Sequence, residues 1–251
     1  MAIDSSPDPI VRLTGIKKRF GPVEALRGVD CEIRQGEVVA LVGDNGAGKS
    51  TLVKILAGVF PPDEGQLSYK GKTVRWRNPR QSRASGIEIV YQDLGLVAPM
   101  SIARNFFLGK ELTSRLGFLE MAEMRAGAVK GVGELGIRIN DPDELVGNLS
   151  GGQQKAVAIG RSLYFGVKVL MLDEPTAALS VKETHIVLEV IKSLREKNVA
   201  VVFITHNINH AFDVSDRFVV MAAGQKVWDV EKSGVTPQQL TTAIMEGRRP
   251  T

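Results

Sequence analysis

Glu37-Val38-Val39-Ala40-Leu41-Val42-Gly43-Asp44-Asn45-Gly46-Ala47-Gly48-Lys49-Ser50-Thr51 is the stretch on which the fold turns. A short apolar run, Glu37 to Val42, ends in a glycine, as a buried strand does. Gly43 to Ser50 then has the spacing of a loop that cradles phosphates: glycine, four residues, glycine, lysine, and a hydroxyl side chain. Glycines let successive N–H groups curl toward phosphate oxygens, Lys49 reaches the β- and γ-phosphates, and the Ser50 hydroxyl can ligate Mg²⁺. Ser50 to Gly58 follows as a helix with Leu52, Ile55 and Leu56 on one face. Its positive end adds to the anion site.

Outward from this loop, the chain alternates short β-rich runs with helical stretches. Ile10 to Lys17 and Leu26 to Ile33 show the partial alternation of half-buried strands. Gln66 to Trp76 reads as a hairpin pivoting at Lys70-Gly71-Lys72, and Ile87 to Tyr91 as another strand. From Ser101 to Gly147 the texture turns to Ala, Glu, Met, Leu and Arg, an inserted helical segment. Gln153 to Tyr164, Val181 to Lys197 and Pro237 to Glu246 read as helices, Val167 to Leu172 and Val199 to Ile204 as buried strands, and Arg217 to Asp229 as a hairpin turning at Ala223-Gly224. The pattern predicts an α/β fold with a buried, mostly parallel sheet, and residues 1–9 as a loose tail.

Val169-Leu170-Met171-Leu172 runs directly into Asp173-Glu174, which places two adjacent carboxylates at the carboxyl end of a strand, where ligands bind in open α/β sheets. Beside a phosphate loop, Asp173 is expected in the Mg²⁺ shell, with Glu174 left to orient and polarise the attacking water. Taken alone, the pair reads equally as a solvated acidic strand end. His206 closes the apolar strand ending Phe203-Ile204-Thr205, and so falls at the same edge. Leu149-Ser150-Gly151-Gly152-Gln153 again precedes a helix, a second anion nest in a chain whose one nucleotide needs only one. The best explanation is that it completes the site of another subunit.

In this order, the phosphate loop, Gln92 after Ile89-Val90-Tyr91, Leu149-Ser150-Gly151-Gly152-Gln153, the Asp173-Glu174 strand end and His206 resemble the ATP-binding subunits of ABC transporters, over residues of about 10 to 230. The resemblance implies a P-loop NTPase core, an N-terminal antiparallel β subdomain and an inserted helical subdomain. It treats residues 1–251 as one ABC ATPase domain with a core lobe (1–92 and 166–251) and a helical lobe (93–165). It implies a head-to-tail ATP sandwich, in which Leu149, Ser150, Gly151, Gly152 and Gln153 of one copy face the nucleotide held by Gly43, Asp44, Asn45, Gly46, Ala47, Gly48, Lys49, Ser50 and Thr51 of the other. Phe20 matches the aromatic that stacks on adenine, or is a core aromatic after a strand. Gln92 matches a glutamine that reaches Mg²⁺ and water, or sits in a surface loop. His206 matches a histidine that contacts the γ-phosphate.

One departure stands out. After Asp173-Glu174-Pro175-Thr176, the family usually reads Ser-Ala-Leu-Asp, whereas this chain reads Ala177-Ala178-Leu179-Ser180. The aspartate that helps couple the two sites is replaced by a serine. That replacement, with Gly86 to Leu94 and Ser101 to Gly109, resembles importers of ribose, xylose and fructose type. The resemblance thus implies an ATP-hydrolysing motor for a monosaccharide importer, with ATP and Mg²⁺, a second copy of the chain, membrane permeases, and indirectly an extracytoplasmic sugar-binding protein. The alternatives are a soluble ABC ATPase acting on nucleic acid or ribosomes, and a regulatory module without turnover.

Composition agrees with a globular chain: 251 residues, 43% hydrophobic and 24% charged. The net charge of +4 is scattered, with Lys17-Lys18-Arg19 the longest basic run, so no nucleic-acid footprint is expected. A single cysteine, Cys31, excludes an intramolecular disulfide and cysteine-cluster metal sites. No apolar run reaches bilayer length, and the N-terminus lacks a secretory pattern. The expected place is the cytoplasmic face of the inner membrane, bound through a partner.

Overall fold

A computed structural model describes residues 8–250. Of the expected N-terminal tail, residues 1–7 lie outside the described residues, and Asp8 and Pro9 carry no regular structure.

The first strands, β1 (Val11–Phe20) and β2 (Val23–Ile33), form an antiparallel ribbon. Val11, Leu13 and Ile16 of β1 point inward, and register shifts between Leu13 and Ile16 and between Lys18 and Arg19 bend the ribbon. β3 (Val38–Gly43) is buried at all six positions, the signature of a central strand covered on both faces. After α1 (Lys49–Leu56) come β4 (Glu64–Tyr69) and β5 (Lys72–Val74), joined at Lys70 and Gly71, both with positive φ. α2 (Pro79–Ala84) is a short helix that periodicity does not reveal, although Asn78 caps it by accepting from the Gln81 amide and Pro79 opens it. β6 (Ile87–Val90) follows.

Two helices, α3 (Ile102–Phe106) and α4 (Met121–Gly133), occupy the segment read as helical, but only part of it. Between them the chain is extended and turned, with Thr113 pairing Leu119, and after α4 it runs irregularly to a 3-10 turn at Val146–Asn148. Then come α5 (Gly151–Tyr164), β7 (Val169–Asp173), α6 (Val181–Glu196), β8 (Ala200–Ile204), α7 (Ile208–Val214), β9 (Arg217–Ala222), β10 (Gln225–Glu231) and α8 (Pro237–Glu246).

These strands build two sheets. The larger has six strands in the order β10-β9-β3-β8-β7-β6, parallel except for β10. The smaller, β2-β1-β4-β5, is antiparallel. One core lies between them around α1, with Leu52, Ile55 and Leu56 packed against Leu41, Met171 and Met221. A second covers the opposite face of the six-stranded sheet with Val187, Ile191 and Leu194 of α6 and Leu240 of α8. A third gathers α3, α4 and α5 around Phe106, Phe107 and Val157. There α4 and α5 approach closely: a Cβ on Gly160 would stand 3.0 Å from the Gly131 carbonyl oxygen.

One buried ion network ties the sheets together. Arg217, 3% exposed, donates to Glu37 (2.6 and 3.0 Å), Asp229 (2.7 Å) and the Glu32 carbonyl (2.7 Å). Burial works against the guanidinium charge, but Glu37 and Asp229 outweigh it and raise its pKa. Cys31 is enclosed nearby, and burial pushes its thiol up to about 12, so it is an inert core residue.

Candidate active site

The parallel register brings the predicted residues to one sheet edge. Leu41 pairs Ile204, Asp173 pairs Ile204, Val90 pairs Leu172, and Gly43 pairs Met221. The phosphate loop, Asp173-Glu174, Thr205-His206 and Gln92 therefore all leave the sheet at its carboxyl end, the position expected of a ligand crevice.

The loop itself is braced from outside. Gly48 caps α1 at φ 100°, and a Cβ there would stand 2.7 Å from the Ala25 carbonyl oxygen and 2.9 Å from Leu26 Cδ2. No other residue type fits. The Gly224 amide donates to the Ala47 carbonyl at 3.1 Å, so the turn between β9 and β10 buttresses the loop. Asp44, Asn45 and Gly46 form its exposed crest, and Ala47 is buried beneath. Lys49 Nζ donates to the Gly43 and Asp44 carbonyls at 2.7 and 2.9 Å, which holds the ammonium across the loop. Burial lowers its pKa, opposed by Glu174, Asp44 and Asp173. The helix starts at Lys49, one residue earlier than the sequence suggests; Ser50 is exposed and Thr51 half-buried on its first turn.

Glu174 is the most constrained residue at the edge. Its backbone is left-handed (φ 49°), its amide donates to the Ile204 carbonyl at 2.9 Å, and its carboxylate meets two neighbouring residues. Oε1 accepts from the His206 amide at 3.0 Å and lies 2.9 Å from His206 Nδ1; Oε2 accepts from the Thr205 hydroxyl at 3.3 Å. Such φ values in non-glycine residues concentrate at functional sites. Burial, then the Glu174 charge, raises the Asp173 pKa, while Lys54 and Lys49 pull it down. The sequence drew attention to His206 and left Thr205 and His210 aside. Yet Thr205 is fully buried against Glu174, and His210 Nδ1 lies 3.1 Å from Thr176 Oγ1 in the loop after Glu174. Only the pairing of β7 with β8 brings these groups together.

Gln92 is exposed two residues past Val90. The loop it opens is anchored by the buried Asn105, which accepts from the Val97 amide at 2.7 Å and donates to the Val97 and Met100 carbonyls. Phe20, at the end of β1, is 46% exposed and stands edge-on to Phe60 at 5.2 Å, so its ring is a surface, not part of the core.

The second glycine turn caps α5. Ser150 Oγ accepts from the Gln153 amide at 3.3 Å and Gln153 Oε1 from the Ser150 amide at 2.9 Å, a capping box. Gln153 thus shapes the turn, Leu149 packs into the core of the three helices, and Ser150 is exposed. Glu183 of α6 lies against Gly151 and Gly152. Lys155, one turn further along α5, is 5% exposed; burial lowers its pKa and Glu174 opposes that shift.

The hard oxygen donors at this edge suit Mg²⁺. Asp173, Ser50 and Gln92 offer one carboxylate, one hydroxyl and one amide oxygen from three segments that meet this sheet edge, and no cluster of three acidic or metal-binding side chains occurs among the described residues. Mg²⁺ is commonly held by one or two carboxylates plus substrate phosphates, and a cation would relieve the burden that burial and Glu174 place on Asp173.

A glycine loop before a helix, a carboxylate pair on the adjacent strand and the two sheets define the class: a P-loop ATPase cassette. Solved structures agree. An ATP-binding cassette of an ABC transporter in its ADP conformation superposes with a TM-score of 0.82 at 26% identity over 96% of each chain. A dimeric bacterial ABC transporter cassette gives 0.74 at 25% identity, over 88% of this chain and 98% of that one. Residues 26–177 match the family model described as ABC transporter. The chain belongs to the ABC transporter family and is one of its ATPases.

Among curated relatives, Xylose/arabinose import ATP-binding protein XylG of Sulfolobus acidocaldarius is 44% identical over 94% of this chain and 93% of its own. Fructose import ATP-binding protein FrcA of Rhizobium meliloti is 38% identical over 97% and 96%. Ribose import ATP-binding protein RbsA of Caldanaerobacter subterraneus subsp. tengcongensis is 41% identical over 96% of this chain but 48% of its own, so this chain spans about half of that relative's length.

Proposed function

We propose that the chain is the ATP-hydrolysing subunit of a monosaccharide importer and works as a head-to-tail pair with two composite sites. The observation that carries the reading is Glu174: one carboxylate at the end of β7, held by Thr205 and His206 across the crevice from Lys49 and the phosphate loop. The kinship to xylose, fructose and ribose import proteins supports the sugar assignment.

ATP is held by the phosphate loop. Amides from Gly43 to Thr51 and Lys49 take the phosphates, with Lys49 leaving the Gly43 and Asp44 carbonyls for the triphosphate, and the exposed Phe20 ring offers a face to adenine. Ser50, Asp173 and Gln92 would hold Mg²⁺, which when bound neutralises charge on the phosphate oxygens. Glu174 orients a water toward the γ-phosphorus and takes its proton as the oxygen–phosphorus bond forms and ADP leaves. His206 fixes the carboxylate and, with a proton on Nε2, can donate to the γ-phosphate. Ser150, Gly151 and Gly152 of the facing copy close the site, so that attraction between triphosphate and opposed amides drives closure and loss of the γ-phosphate weakens it.

We place residues 93–165 as the lobe that passes this motion to membrane permeases, at the cytoplasmic face, with a sugar-binding protein on the far side. Among the described residues no helix is long and apolar enough to cross a membrane. The reading of an ATPase acting on nucleic acid finds no support in these relatives. The experiment is sedimentation of Glu174→Gln with saturating Mg-ATP: a trapped dimer supports the composite site, and monomers alone contradict it.

A further inference from the structure

Phe20 stands at the tip of a hairpin that runs past the rest of its sheet. Backbone pairing between β1 and β4 ends at Lys17 and Glu64, so Lys18, Arg19 and Phe20 pair with β2 alone, and the ribbon shifts register between Lys18 and Arg19. A two-stranded ribbon of this kind holds its shape poorly by itself. Val23, which pairs Phe20 across the turn, is exposed and offers the ring no wall.

Asp63 supplies support at three successive residues. Its amide donates to the Lys17 carbonyl at 3.0 Å, Oδ1 accepts from the Lys18 ammonium at 2.6 Å, and Oδ2 accepts from the Arg19 amide at 2.7 Å. The ammonium so placed stands 5.7 Å from the centroid of the Phe20 ring and 5.5 Å from that of Phe60, and the Lys18 side chain is 11% exposed. Phe60 packs against the core around α1 and meets Phe20 edge-on. A cation near aromatic faces and an edge-to-face ring pair each add attraction beyond packing. Pro61 and Pro62, with φ fixed by their rings, join Phe60 to Asp63. This segment is the chain that leaves α1 toward β4, and the other end of α1 carries the phosphate loop. One short helix is thus continuous with both the loop and the clip on the hairpin tip.

We propose that Lys18, Phe60 and Asp63 are the positioning residues of a base platform. They fix the Phe20 ring where a purine stacks, and so set how much of the nucleotide's affinity comes from its base. The inference rests on the placement of adenine on Phe20 proposed above and adds the residues that hold the ring there. None of the three touches the nucleotide; each acts through Phe20.

The test is a double-mutant cycle read by calorimetry with Mg-ATP. It uses Phe20→Ala, Lys18→Met and the two combined, with Phe60→Leu as a second way of loosening the ring. Phe20→Ala should weaken ATP binding about five- to a hundredfold. Lys18→Met should weaken it about two- to fivefold and Phe60→Leu about two- to tenfold. Neither should weaken it further in the Phe20→Ala background. Mg-tripolyphosphate, which carries no base, should bind every variant as it binds the native chain. Native ATP affinity in both Lys18→Met and Phe60→Leu overturns the proposal. So does a loss that persists in the Phe20→Ala background, or one that tripolyphosphate shares, since either places the effect somewhere other than the ring. Unchanged ATP affinity in Phe20→Ala overturns the adenine placement itself, which distinguishes the two failures.

Discussion

The His206 amide and ring both meet a single oxygen of Glu174, at 3.0 Å and 2.9 Å. With the proton on Nδ1, the ring donates to the carboxylate and leaves Nε2 to accept from a neighbouring donor. With both nitrogens protonated, it can bridge Glu174 and a phosphate oxygen. The Thr205 hydroxyl takes the other oxygen, so the carboxylate has little freedom of its own.

The first prediction follows from that fixation. Glu174→Gln keeps the shape and can keep the Thr205 and His206 contacts but cannot accept a proton. Steady-state phosphate release should fall by about 10²- to 10⁴-fold, with the thermal midpoint of the nucleotide-free protein nearly unchanged. An undiminished rate would remove Glu174 from the mechanism.

Lys49→Ala should abolish measurable ATP binding in calorimetry. Its ammonium spans the Gly43 and Asp44 carbonyls and is the charged group of the loop placed to reach the β- and γ-phosphates. Unchanged affinity would refute the phosphate-loop assignment.

Gly48→Ala should lose binding and stability together. The new Cβ would meet the Ala25 carbonyl oxygen at 2.7 Å, on a backbone at φ 100° that L residues avoid. Either the strand carrying Ala25 moves or the loop opens, and thermal unfolding with calorimetry would show both losses.

Arg217 gives a stability prediction independent of nucleotide. Arg217→Met leaves the buried Glu37 without its close cation and Asp229 with Lys226 alone, at a cost of about 3–5 kcal/mol. Burial pushes the Asp229 carboxyl up, but Arg217 and Lys226 outweigh it and hold it below the usual carboxylate range. A carboxyl depressed on folding contributes stability that is present above its unfolded pKa and lost as pH falls through the folded value. Acid unfolding of the native chain should therefore show that loss at the low end of the carboxylate range. Arg217→Met should flatten this part of the profile, and an unchanged profile would contradict the network.

How much of this was legible before the coordinates depends on where the information lies. Gly43 to Ser50 announces itself because the chemistry needs particular residue types at fixed spacing. Asp173 and Glu174 are legible because a four-residue apolar run ends on them. The helix Pro79–Ala84 is too short for periodicity to register, and its only local signal is Asn78-Pro79. The region from Phe107 to Glu120 has helical composition yet forms extended turns, because Thr113 pairs Leu119 and α3 ends at Phe106. Thr205, His210, Lys155 and Glu183 were invisible as site residues. Each meets a partner 19 or more residues away in the chain, brought near by sheet register or helix packing, and no short motif records such a meeting.

The central claim, that each site is assembled from two copies, is tested most directly by mixing two inactive variants. Lys49→Ala spoils the phosphate loop and keeps the serine-glycine turn; Ser150→Phe blocks the turn and keeps the loop. Each alone should hydrolyse ATP at background rate. In a mixed pair, one site joins the intact loop of one copy to the intact turn of the other, so mixing should restore phosphate release. A mixture as inactive as its two components, with mixed pairs demonstrated by differential tags, would contradict the account.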